Sequence, residues 1–193
     1  MKNFLFVFAV LFLLPGCATY RLVEPEPAAV GDGSLTVTPT RAWNAMPMYG
    51  APEWEDGWTR NGPLLDSVQF ITGMPEGKAL LKQRRKADQQ ATAFRADMTP
   101  TDLVSLIEST YRVRGVTVFT VESLAPEPFL GGTGLKLRYA YAPDDGISRK
   151  GSAVMRVIDA KLYLMKLDGV SSHYFDAVLP EFEELVASAR QEN

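Results

Sequence analysis

Leu135-Lys136-Leu137-Arg138-Tyr139-Ala140-Tyr141 places leucine or tyrosine at every second position, with Lys136, Arg138 and Ala140 between them. Successive side chains of a strand leave opposite faces of a sheet, so this stretch reads as a half-buried strand. Pro143-Asp144-Asp145-Gly146 follows with turn chemistry. Ser152 to Ile158 and Lys161 to Leu167 then flank a short Asp159-Ala160 connection, and together these segments form an antiparallel meander. Upstream, Val116 to Val121 reads as a further strand.

Helices bracket the meander. Thr99 can cap, Pro100 suits the first helical position, and Asp102 stands where a capping-box acid belongs. Leu103, Leu106, Ile107 and Tyr111 line one face of that helix, and Gly115 can stop it. Near the end of the chain Tyr174, Val178, Phe182, Leu185 and Ala189 recur at helical spacing. Ser171 or Ser172 is the expected N-cap, and Pro180, which lacks an amide hydrogen, is expected to break or kink the run near residue 177.

The first half of the chain is less regular. Leu35-Thr36-Val37-Thr38 alternates as a short strand, and Trp43 to Trp58, rich in Trp, Met, Tyr and Pro, reads as a long loop. Trp58-Thr59-Arg60 runs into Asn61-Gly62, a tight-turn pair, and Ser67 to Thr72 alternates again. Lys78 to Gln90 favours helix by composition and strand by position; strand is expected for 78 to 84. The fold class is α+β, an antiparallel β-sheet with helices packed on it, in a single domain over residues 34–193.

The succession of the Thr99 helix, the meander, Leu162-Tyr163-Leu164 and then His173-Tyr174-Phe175 with Phe182 and Ser188 resembles the PsbP-type fold, which DcrB-like bacterial lipoproteins share. The resemblance spans roughly residues 34 to 190. It implies a PsbP-like α/β sandwich acting as a non-catalytic adaptor or assembly module in the cell envelope. No metal or partner site carries over from it residue by residue.

The first residues give an address. Lys2 precedes the unbroken apolar stretch Phe4 to Leu14, which ends in Leu14-Pro15-Gly16-Cys17. A helix over that stretch is about 16 Å long, roughly half of a hydrocarbon core, so it suits an export signal rather than a span. The four residues resemble the lipobox of bacterial lipoproteins, with Pro15 where alanine, serine or threonine is more usual. Residues 1–16 are then a signal peptide, and residues 17–33 a lipidated N-terminus and a linker containing prolines and glycines. Cys17 otherwise reads as a small buried hydrophobe or half of a disulfide, yet the sequence has no second cysteine to pair with it. By the same resemblance, Ala18 rather than aspartate favours the outer membrane, with the domain in the periplasm.

Composition limits the chemistry. The chain is 46% hydrophobic with a net charge of −3, which gives no electrostatic ground for a nucleic-acid partner. His173 is the one histidine; beside Ser171, Ser172 and Asp176 it reads as a surface group near a helix start, since neighbours on one turn do not present a base to a nucleophile. Zinc lacks a ligand set, and Asp144, Asp145 and Asp159 read as turn residues rather than calcium ligands. Phe129 to Gly134 lacks the Lys-Ser/Thr ending of a phosphate cradle and reads as a strand entry or bulge.

No catalytic, cofactor-binding or metal residues are therefore assigned. Two features could meet a partner. Lys82, Arg84, Arg85 and Lys86 form a basic cluster that otherwise reads as a solvated face. Trp43, Trp54 and Trp58, with Met46, Met48 and Tyr49, are the densest aromatic feature; they form either an exposed patch or core anchors. The sequence thus reads as an envelope lipoprotein, anchored in membrane lipid through acylated Cys17, that meets a protein partner. The alternative is a small-molecule or lipid carrier, or an enzyme, with a pocket under the loop 43–58.

Overall fold

The computed structural model describes residues 19–81 and 91–192. The meander is present and longer than its alternation indicates: β7 (Val118–Phe129), β8 (Gly132–Ala142), β9 (Arg149–Ile158) and β10 (Lys161–Val170) pair antiparallel in sequence. Asp159 and Ala160 join β9 to β10 with φ of 49° and 59°, the positive values of a primed hairpin turn. Leu130 and Gly131 join β7 to β8 in the same way, at 49° and 74°. The glycine run is thus the tip of a hairpin rather than a strand entry. β7 extends past Val121, through a register shift before Ser123, despite Pro126 and Pro128. It is the edge strand of the sheet, where a missing amide hydrogen need not cost a ladder bond.

The other half of the large sheet comes from β1 (Arg21–Val23), β4 (Trp43–Ala45), β5 (Glu55–Thr59) and β6 (Asp66–Met74), and the strand order is β1-β4-β5-β6-β10-β9-β8-β7. A second sheet, β11-β3-β2, joins β2 (Ala28–Val30), β3 (Leu35–Val37) and β11 (Arg190–Gln191).

Four expectations for the first half of the chain need correction. Residues 21–30, expected as spacer, supply two strands, because Val23 and Val30 are buried in the core. Residues 43–58 are not one loop: both ends are strands, since Trp43 and Trp58 anchor in the core and Trp58 meets Phe70 edge-on with centroids 4.8 Å apart. Residues 78–81 are not strand, because both sides of β6 are already taken by β5 and β10. There Phe94 accepts from Gly77 N–H at 2.9 Å and donates to Lys78 O at 2.7 Å, while its ring is fully buried. Residues 82–84 of that expected strand lie outside the described residues. The turn at Asn61-Gly62 is wider than a two-residue turn, spanning 60–65 around the buried Asp66 carboxylate, which accepts from the backbone of Arg60 and Asn61 at 2.7 and 3.0 Å.

Helix α1 (Pro100–Val113) forms as its sequence indicates, with a complete Thr99–Asp102 capping box and Leu103, Leu106, Ile107 and Tyr111 buried. Helix α2 (Tyr174–Ser188) differs: it runs unbroken through Pro180, and its N-cap is His173, without a side-chain cap bond. Pro180 is exposed, and Phe175, Val178, Phe182, Leu185 and Val186 hold the helix down on both sides of it.

The helices lie on opposite faces of the large sheet. Alternation along β6 and β10 sends Val68, Phe70, Met165 and Leu167 into the core shared with α2, and Ile71, Met74, Leu162 and Leu164 into the core shared with α1. The α1 core draws on β6, β8, β9 and β10 but on no residue of β1 or β4. The sheet on that side is therefore covered at one end and open at the other. Among the described residues no helix is long and apolar enough to cross a membrane.

Candidate functional site

A buried polar network sits under the last turn of α1. Lys166 and Asp168, two residues apart on β10, point to the α1 side, and Tyr111 and Tyr139 close over them. Lys166 Nζ donates to Asp168 Oδ2 and to Tyr111 Oη, both at 2.8 Å. Tyr111 Oη donates to Asp168 Oδ1 at 2.6 Å, Tyr139 Oη lies 2.9 Å from the same oxygen, and the two phenol oxygens are 2.8 Å apart. Tyr139 can lie flat over its cross-strand partner because that partner is Gly151, where a Cβ would fall 2.0 Å from the ring. Phe119 stacks on Tyr139 and Tyr141 packs on Tyr111, with centroids 4.9 and 4.5 Å apart.

Burial, and then the Asp168 charge, raise the phenols of Tyr111 and Tyr139 well above the ordinary tyrosine range; Tyr141 shifts the same way for the same causes. These tyrosines keep their protons and act as donors. Lys166, only 5% exposed, has its charge matched by Asp168 within the protein. The arrangement locks α1 to the sheet, and its members bond to one another rather than toward an open cleft. The sequence signal was the pair Lys166 and Asp168 within otherwise apolar Leu162 to Val170, charges at alternate positions aimed inward.

The sequence-predicted candidates scatter. Trp43 and Trp58 are 1% and 0% exposed, so they meet the core and not a partner. Trp54 is half-buried and borders an open groove of about 680 Å³ with Pro52, Glu55, Lys78 and Leu81. Glu55, bonded by Gln69 at 2.6 Å, is raised above the usual carboxylate range by burial. Tyr49 is 78% exposed. Cys17, Arg84 and Arg85, with Lys82 and Lys86, lie outside the described residues. His173 is exposed and stands edge-on to Tyr174, while Ser171 Oγ donates to Ser148 O at 2.9 Å, so the two do not form a base and nucleophile pair. Asp145 receives Arg149 and the Ile147 N–H, as a turn acid does. Among the described residues no three of His, Cys, Asp and Glu gather so as to hold a metal ion.

No family model matches the chain, and no curated protein matches it. Solved structures do. The chain is similar to the solution structure of cyanobacterial PsbP (CyanoP) from Synechocystis sp. PCC 6803, with a TM-score of 0.57, 16% identity, and coverage of 92% of this chain and 95% of that one. It is also similar to the crystal structure of the Saccharomyces cerevisiae Ran-binding protein Mog1p, with a TM-score of 0.50, 10% identity, and coverage of 89% and 95%. At such identities the likeness establishes the fold, a PsbP-like α+β sandwich.

Proposed function

We propose that the protein is a membrane-anchored bacterial envelope lipoprotein whose domain is a non-enzymatic interaction or assembly module facing the periplasm. The observation that carries the reading is the join between leader and fold: Leu14-Pro15-Gly16-Cys17 ends the apolar stretch, and β1 begins at Arg21.

 Two or three acyl chains on Cys17, at about 0.8 kcal/mol per buried methylene, would make attachment effectively permanent. A fold whose inward charges bond to one another suits a scaffold that presents surfaces rather than one that turns over a substrate.

The test is Cys17→Ser in the native host. Fatty-acid labelling should be lost and the leader should stay uncleaved, whereas a variant still labelled and membrane-bound would overturn the anchor. Crosslinking of the wild-type protein in its own membrane should recover a protein partner. The groove beside Trp54 favours a second reading, a carrier of a small apolar molecule. A small molecule co-purifying with the protein, together with no crosslinked partner, would select it.

A further inference from the structure

The open end of the α1-side sheet face finishes at β1, where Tyr20 and Leu22 are 47% and 57% exposed while Val23, on the opposite face, is buried. β1 pairs with β4 in the register Arg21↔Ala45 and Leu22↔Asn44, so the start of β1 lies beside the segment leaving β4. Met46 and Met48 cross that same face: a Cβ on Gly57 would fall 2.6 Å from Met46 Cε and 3.3 Å from Met48 Sδ. Tyr49 follows at 78% exposure. One end of the fold thus gathers Tyr20, Leu22, Met46, Met48 and Tyr49.

The chain outside the described residues says what covers this end. Four residue steps separate Cys17 from Arg21, which at full extension reach about 14 Å. If Cys17 is acylated, as the proposed function holds, the acyl chains enter the bilayer within that distance of the patch. Tyrosine, with an apolar ring and a polar tip, suits the headgroup boundary, and leucine and methionine suit the acyl region just below it. Resting on that reading, we infer that the β1 end of the sheet lies on the lipid surface, with Tyr20, Leu22 and Tyr49 in contact with the bilayer. Eight strands at about 4.8 Å spacing then hold the β7 edge roughly 34 Å away along the sheet. Val118, Val121 and Leu124, exposed on β7, are consequently carried away from the membrane.

Cysteine substitutions at Leu22, Tyr49 and, as a control, Ile147 in the turn between β8 and β9 test the orientation in the full-length lipidated protein. Each variant carries a fluorophore and is reconstituted in phosphatidylethanolamine–phosphatidylglycerol vesicles with brominated acyl chains; the acylated Cys17 sulfur does not react. The fatty-acid content and vesicle association of each sample report the anchor separately. The expected result is loss of iodide quenching and gain of quenching by brominated lipid at positions 22 and 49, with neither change at 147. An acylated, vesicle-bound protein whose labels at 22 and 49 stay as open to iodide as the label at 147 overturns the orientation and leaves the anchor standing. Protection from iodide without quenching by lipid overturns it as well, by showing a protein cover. A protein without fatty acid and free of vesicles overturns the anchor and the orientation together.

Discussion

Lys166 is held by Asp168 and by a tyrosine 55 residues earlier in the chain. Removing one charge of such a pair strands the other in a poor solvent for ions. Asp168→Ala should therefore cost about 3–5 kcal/mol of stability, whereas Lys166→Met combined with Asp168→Leu should recover most of it. Urea denaturation of the two variants decides; equal losses would mean that the carboxylate does more than neutralise Lys166. Glu55 makes a prediction of the opposite sign. Its raised pKa means that the folded protein holds the proton to higher pH than the unfolded chain does. That contribution to stability is complete below the unfolded value of about 4.3 and is lost as pH rises through the folded one. Glu55→Gln should thus gain on the wild type as pH rises from about 4 to 7, read from denaturation midpoints across that range; a constant difference would refute the assignment.

The two helices differ in how far their own residues define them. α1 carries its start in Thr99, Pro100 and Asp102, and Thr99→Ala should cost about 1 kcal/mol through loss of the cap. α2 runs through a proline that its local sequence argues against. Its buried side chains on both sides of Pro180 hold the helix where one backbone bond is missing, so Pro180→Ala should stabilise the protein by about 1–3 kcal/mol. Thermal denaturation checks both, and a loss of stability in Pro180→Ala would mean that the ring makes a contact of its own. β7 shows the same tension: Pro126 and Pro128 argue against a strand, and a place at the sheet edge removes the objection.

For the assembled fold, the N-terminal strands matter more than their length indicates. A chain beginning at Ser34 lacks β1 and β2 and with them the buried Val23 and Val30. It should be less stable than one beginning at Thr19 by about 3–6 kcal/mol, on the apolar burial of those two side chains. Matching denaturation midpoints for the two chains would return residues 19–33 to the role of a spacer.

The meander, the capped helix and the α+β class were legible because their signals are local: alternation along one strand, cap chemistry within one turn, a helical stripe. The apolar stretch Phe4 to Leu14 and Cys17 after it are likewise local signals, and with them the expectation of an envelope address. β1, β2 and β4 were not legible, since each is three residues long in a segment rich in Pro, Gly or Met and lacks the four-residue alternation of Leu35-Thr36-Val37-Thr38; they persist through the partners they meet. The Tyr111–Tyr139–Lys166–Asp168 network, the burial of Trp43 and Trp58 and the bare end of the sheet came from the fold. Each depends on which distant segments share a face, and pairing across the sheet, not neighbouring sequence, sets that.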